Sequence, residues 1–302
     1  MPPPTRIIDS HQHVFWHGRD DAGLVADLDE HGIDKALLLT WCIHPTEGDP
    51  GYDEAFNPIH TELNRNNHPG LTLSDAVCAA RRYPDRFIIG YAPHPLESNA
   101  AKWLDAAIRM YDIRAFGEWK CRMLLDDPRC IELFRLAGQR DLPVVLHIDV
   151  PYRPDEEEGE MKYRPEWYGG TVANLERAMQ ACPNTIFVGH GPGLWREISG
   201  DADTAIGLYP EGPIIEGGRL LRLMEDYPKL FLDLSAGSAK AALRRDLDFS
   251  KIFVLKYHER MLFGRDCYSD DLHEFLQSLS LPDEAVENIY HRNAERLFRI
   301  ES

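Results

Sequence analysis

What this chain of 302 residues does not contain narrows its identity first. No apolar run reaches the roughly 18 residues that a membrane helix requires. Basic residues are few against acidic ones, 33 to 50, for a formal net charge of −17. A nucleic acid or an anionic membrane surface, which would demand a basic face, is therefore not an expected partner. No GxGxxG follows the first apolar stretch, so the dinucleotide fingerprint is missing. The six cysteines (Cys42, Cys78, Cys121, Cys130, Cys182 and Cys267) form no CxxC pair or regular spacing, which points to free thiols in a reducing cytoplasm. The amino-terminal Met-Pro-Pro-Pro-Thr-Arg has no apolar segment of the signal-peptide kind, and a cytoplasmic location is expected. Internal repeats, linkers and low-complexity segments are absent as well.

What is there is a regular alternation. Apolar, strand-like stretches fall at 7–8, 35–41, 86–91, 113–120, 143–148, 185–190, 230–235 and 261–266. Helical spacing of apolar residues follows them at 20–30, 74–83, 98–110, 128–139, 171–181, 214–227, 238–247 with 250–259, and 268–279 with 283–298. Ser74 reads as the N-cap of the second of these helices. Strands apolar on both faces and joined by helices must run parallel, and eight such units predict one α/β domain over 1–302, a (β/α)8 TIM barrel. Three polar, irregular segments, 42–70, 149–170 and 191–212, all follow strands, which puts them on the carboxyl-terminal rim where barrels build their sites.

The ends of the strands carry the chemistry. Asp9, His11 and His13 share a parity on the first strand and are expected to project together, Asp9 deeper and supporting rather than ligating. Glu118 ends the fourth strand, His147 the fifth, His190 the sixth and Asp266 the eighth. Six metal-capable side chains facing one mouth predict a divalent ion, zinc or manganese, held by imidazole and carboxylate. Lys120 shares the face of Glu118, so the two form either part of a metal bridge or an ion pair beside it. Lys120, Arg153 and Trp119 are candidate substrate-binding residues. Arg122 and Arg196 either clamp a substrate carboxylate or stay solvated at the surface, and Trp167 and Trp195 either line the pocket or pack the loops. His44, His60, His68 and His94 read as loop residues, Glu156 to Glu158 as a solvated charge run, and Cys267, beside Asp266, as the thiol closest to the chemistry.

This pattern resembles the metal-dependent amidohydrolase superfamily: D-x-H-x-H on strand one, single histidines ending strands five and six, and Phe263-Gly264-Arg265-Asp266 ending strand eight. The terminal stretch from Asn288 to Phe298 is similar to that of its amidohydrolase-related (amidohydrolase 2) branch. The resemblance implies that His11, His13, His147 and Asp266 bind metal, with His190 adjacent as ligand or acid/base. It also implies that Asp266 activates water, and that one or two ions are present according to whether Glu118 or Lys120 bridges. The expected activity is metal-dependent hydrolysis of an amide, ester or lactone of a small molecule. The alternative is non-oxidative, metal-dependent decarboxylation, a lyase reaction using the same site. A homodimer is the default expectation for a soluble oligomer.

Overall fold

Strands that are apolar on both faces need cover on two sides. In the structure, a computed structural model that describes residues 3–48, 56–63, 69–155 and 157–300, they find it by curling into a nearly closed parallel barrel wrapped in helices. The strands are β1 (Ile8–Gln12), β2 (Lys35–Leu38), β3 (Phe87–Gly90), β4 (Ile113–Trp119), β5 (Val144–His147), β6 (Phe187–His190), β7 (Leu230–Asp233) and β8 (Met261–Leu262). Neighbours in sequence are neighbours in the sheet. The seam between the last strand and the first is stitched by Ser10 N–H donating to the Phe263 carbonyl (2.9 Å) and Asp266 N–H donating to the His11 carbonyl (2.8 Å).

Alternation sorts the side chains into two layers. Ile8, Leu37, Leu39, Ala115, Val145, Val188, Phe231 and Leu262 fill the barrel interior, and Ala294, Leu297 and Phe298 of the final helix join that cluster. The opposite faces, Phe116, Trp119, Val144, Leu146, Phe187, Leu230 and Leu232 among them, pack outward on the helices. Each fully buried aliphatic or aromatic side chain contributes about 1.5–3 kcal/mol through removal from water. The helix Leu73–Arg82 is capped by Thr72, whose hydroxyl accepts from Asp75 N–H at 3.2 Å, two residues earlier than the expected Ser74. No described helix is long and apolar enough to cross a membrane. The six cysteines are free.

Two interruptions of the alternation matter for the site. Between β1 and β2, Asp9 pairs with Ala36 and Gln12 with Leu38, so β1 spends three residues where β2 spends two. Between β4 and β5, Phe116 pairs with Val144 and Trp119 with Leu146, the same surplus. Each is a bulge, and one extra residue reverses the face on which all later side chains emerge. Asp9 therefore does not project with His11 and His13: its carboxylate accepts from Arg265 N–H (2.9 Å) and Nε (3.1 Å), and Arg265 reaches on to Asp27 in the helix Asp21–Glu30. The β4 bulge turns Glu118 into the barrel mouth while Gly117 still lies over the interior, its missing Cβ 2.8 Å from Val145 Cβ.

The three irregular segments contain more structure than expected. Trp41–Cys42 pairs antiparallel with Gly70–Leu71, a short helix spans Pro58–Leu63, Tyr152–Pro154 and Met161–Tyr163 form a hairpin, and a short helix spans Pro192–Trp195. Trp16, Trp41, Ile43, Phe56, Leu71 and Tyr168 form a separate aromatic cluster. His68 and Glu156 lie outside the described residues.

Candidate active site

At the mouth, four donor atoms gather. His13 Nε2 lies 3.3 Å from Asp266 Oδ1 and 3.6 Å from Glu118 Oε2; His11 Nε2 lies 3.7 and 3.8 Å from the same two oxygens. Donors about 2.1 Å from a common centre in tetrahedral array are separated by about 3.4 Å, so this spacing is that of a coordination shell. The hydrogen bonds behind the rings fix which nitrogen is free. His13 Nδ1 meets the Leu39 carbonyl (2.8 Å) and His11 Nδ1 the Asp233 carboxylate (2.6 Å), neither of which can donate, so both Nδ1 atoms carry a proton and both rings turn Nε2 to the gap. His11 Nε2 is fully buried and has no hydrogen-bond partner, which a metal ligand would explain.

Glu118 links this group to another. Its Oε1 lies 3.0 Å from His147 Nδ1, and Glu118, His147 and His190 form a second set of converging donors. His190 Nε2 faces the far oxygen of Asp266, Oδ2, at 3.6 Å, while its Nδ1 contacts Ser235 Oγ (3.0 Å) and Asp233 Oδ2 (3.5 Å). All six strand-end residues singled out in the sequence are thus brought to one mouth. Asp233 and Ser235, at the end of β7, were missed; the rule of reading the last residues of each strand would have found them.

The field at this point is negative. Burial pushes the Asp266 carboxyl up, but the imidazoles of His11 and His13 overcome it and hold it well below the usual range. Asp233 is likewise held down against burial by His11 and His190, and Glu118 against burial by Lys120 and His147. Burial lowers His11, yet Asp266 and Asp233 push it up to about 10. Three ionised carboxylates around imidazoles call for a cation. His147 is the contrast: burial and Lys120 bring it down to about 4, a neutral ring near pH 7.

Next to the donors a cleft of about 580 Å³ opens, walled by Trp16, Lys120, His147, Asp149, Tyr168 and Tyr209, with Asp266 and His190 at its base. Lys120 is the one lysine or arginine among the described lining residues, its Nζ 4.1 Å above the Trp41 ring and 5.4 Å from that of Tyr168. Burial raises Asp149 to about 6. Arg153 stands behind the wall, 3.8 Å from Asp149, so it reaches the cleft only through that carboxylate. Trp119 does not reach it at all: it is fully buried against Phe134 because the β4 bulge sends Glu118 and Lys120 inward and Trp119 out to the helices, correcting its expected role in binding substrate.

The rim residues resolve individually. Arg196 is buried and donates to the carbonyls of Ala202 and Ala205, and Arg122 binds the Glu47 backbone. Trp195 Nε1 donates to the Asp233 carbonyl and Trp167 to Tyr163. Glu47, His94 and Cys121 form another converging trio. There His94 Nδ1 accepts from Leu96 N–H (3.1 Å), so Nε2 keeps its proton and donates to Glu47 (3.0 Å); the trio is satisfied without a metal. Cys267 lines the cleft with a thiol that burial pushes up.

Fold and site together define a (β/α)8 barrel whose mouth gathers metal-capable side chains from five strand ends. The Amidohydrolase family profile matches residues 8–300, and the chain belongs to that family. A comparison with curated proteins gives no match. Among solved structures it is similar to a 5-carboxyvanillate decarboxylase from Sphingomonas paucimobilis (16% identity, 98% of this chain and 99% of that one, TM-score 0.61). It is also similar to a probable 2-pyrone-4,6-dicarboxylic acid hydrolase from Acinetobacter baumannii (15%, 98% and 100%, TM-score 0.57). A dihydroxybenzoic acid decarboxylase from a Polaromonas species, with bound manganese and an inhibitor, resembles it to the same degree (15%, 98% and 97%, TM-score 0.57). At these identities the likeness is one of fold.

Proposed function

We propose that the protein is a hydrolase that cleaves an ester, lactone or amide of a small molecule with one essential divalent ion, zinc or manganese. The observation that carries this reading is the two-sided placement of Asp266, one oxygen among the donors of His11 and His13 and the other 3.6 Å from His190 Nε2. His11, His13, Asp266 and Glu118 would hold the ion. When bound, such an ion lowers the pKa of water and polarises a carbonyl.

Asp266 takes the proton that water loses as it attacks. His190, backed by Asp233 and Ser235, receives that proton and hands it to the departing oxygen or nitrogen; contacts of this kind tighten from long distances when substrate is present. Lys120 and Tyr168 line the substrate's side of the cleft. Glu118 Oε1 is already engaged by His147, which favours one ion over two for activity, with the Glu118–His147–His190 set filling only when metal is abundant.

The second reading, decarboxylation, draws on Lys120 as an anchor for a carboxylate beside aromatic walls. A screen of lactones, acyl amides and aromatic carboxylates in 18O-water, with metal content measured, separates the two. Incorporation of 18O into product is expected, with activity saturating at one equivalent of metal; carbon dioxide release without incorporation would replace the hydrolase by a lyase. Asp266→Asn should leave a folded barrel whose turnover falls by about 10²–10⁴, the loss typical when a proton-transfer group is removed. Full turnover in that variant would remove Asp266 from the chemistry.

A further inference from the structure

Asp266 holds a backbone conformation that residues other than glycine seldom take, with φ +57°. Such a residue persists only where its surroundings over-determine it, and strain of this kind collects at active sites. Here the surroundings come from one stretch of chain, 9–16, which also carries His11 and His13. Asp266 N–H donates to the His11 carbonyl (2.8 Å), and the Asp266 carbonyl accepts from Trp16 Nε1 (2.8 Å). One residue earlier, Arg265 N–H donates to Asp9 Oδ1 (2.9 Å). One residue later, the Cys267 carbonyl accepts from Gln12 Nε2 (3.0 Å). Gly264 approaches the same strand so closely that a Cβ on it would stand 3.0 Å from His11 Cβ.

Within this grip Gln12 has no other task. It is fully buried, does not line the cleft, and donates its second amide hydrogen to Asp9 Oδ2 (3.0 Å), the oxygen that also accepts from Arg265 Nε (3.1 Å). A carbonyl cannot donate, so the amide nitrogen is the atom that faces Cys267, and Oε1 points the other way with no hydrogen-bond partner among the described residues. An unpaired buried oxygen destabilises, and an apolar side chain of the same length would fill the space without it. The polarity of Gln12 therefore serves the two bonds it makes and not packing.

We propose that Gln12 is a positioning residue for Asp266: seated between the two metal donors of the first strand, it ties the peptide after Asp266 to Asp9 and so keeps the Asp266 carboxylate beside the His11 and His13 nitrogens, with Trp16 as the second hold. One stretch of chain thus supplies two donors and aims a third that arrives from the far end of the sequence. The proposal rests on Asp266 being a donor, as the proposed function has it, and adds that its aim depends on a side chain outside the cleft.

The test is a double-mutant cycle read as zinc affinity in a chelator competition, which needs no substrate. Gln12→Met keeps the length of the side chain and removes both donations. It should weaken zinc by about 10–100-fold, the loss typical when a group that orients a ligand is removed. In an Asp266→Ala background the same substitution should change zinc affinity by less than about twofold, because the residue it acts through is gone. Trp16→Phe withdraws the donor from the Asp266 carbonyl and keeps an aromatic ring in place; it should show the same dependence on background, and it carries the test if Gln12→Met does not fold. An equal loss in both backgrounds would mean that Gln12 acts through Asp9 and His11, and overturns the proposal. Wild-type zinc affinity in the single variants, beside an Asp266→Ala protein that binds zinc weakly, overturns the positioning role alone. Unchanged affinity in Asp266→Ala itself overturns Asp266 as a donor and the proposal with it, so the two failures are distinguishable.

Discussion

Asp233 is the residue on which two imidazoles depend. Its Oδ2 meets His11 Nδ1 at 2.6 Å and His190 Nδ1 at 3.5 Å, and its Oδ1 accepts from Ser235 N–H at 2.8 Å, so one carboxylate fixes the tautomer of a metal donor and of the proposed proton carrier together. Carboxylates in that position raise the basicity of the ligating nitrogen, and their loss typically costs 10–100-fold in metal affinity. Asp233→Asn should therefore weaken zinc by about that factor in a chelator competition, with an unchanged far-ultraviolet circular dichroism spectrum. Trp119→Phe is the contrasting substitution: the ring packs on Phe134, so it should lower thermal stability while leaving metal affinity and KM where they were. A changed KM in Trp119→Phe would restore that residue to the substrate site.

At the scale of elements, the barrel was legible because apolar stretches alternate with helical spacing along the chain, and β5, β6 and β7 are largely apolar runs that end in His147, His190 and Asp233. His147, His190 and Asp266 follow strands of regular alternation, and counting by twos from Val145, Val188 and Leu262 leads to them. His11, His13 and Glu118 do not obey the count, because each follows a surplus residue at a bulge, and such a residue leaves no mark in a period-two pattern. The rim segments were read as loops for a related reason: their short pairings, such as Trp41–Cys42 with Gly70–Leu71, depend on partners distant in the chain. One rim element does declare itself. Gly191 follows His190 with φ +97°, and a Cβ there would lie 2.6 Å from the Ile148 carbonyl, so the turn out of β6 can be built only by glycine. Gly191→Ala should destabilise the protein by about 2 kcal/mol or more through backbone strain and should displace His190, seen as a lower midpoint in urea together with reduced turnover. A variant with wild-type stability would mean the turn tolerates a side chain that its geometry forbids.

Across the whole molecule, the two ends of the chain hold each other and close the amino-terminal end of the barrel. Ala294, Leu297 and Phe298 plug the interior cluster, and the arm preceding β1 is tied to the same carboxyl-terminal helices. Glu287 accepts from Thr5 N–H (2.9 Å) and Thr5 Oγ (2.5 Å), its carboxylate also meets His291 (2.8 Å), and Arg6 pairs with Glu295 (2.5 Å). Burial pushes the Glu287 carboxyl up, but the hydrogen bonds from Thr5 and His291 outweigh it and hold it down at about 2, from an ordinary 4.5. A carboxyl held below its unfolded value stabilises the fold only while ionised. Its contribution is complete above pH 4.5, shrinks as pH falls from there towards 2, and is gone below that. Glu287→Gln should therefore melt a few degrees lower than wild type at pH 7, of the order of 2–4 °C for each kcal/mol lost, and the gap should close as both proteins are taken from pH 4.5 to pH 2. A gap of constant size across that range would show that packing of the side chain, and not its charge, ties the amino-terminal arm to the helix that seals the barrel.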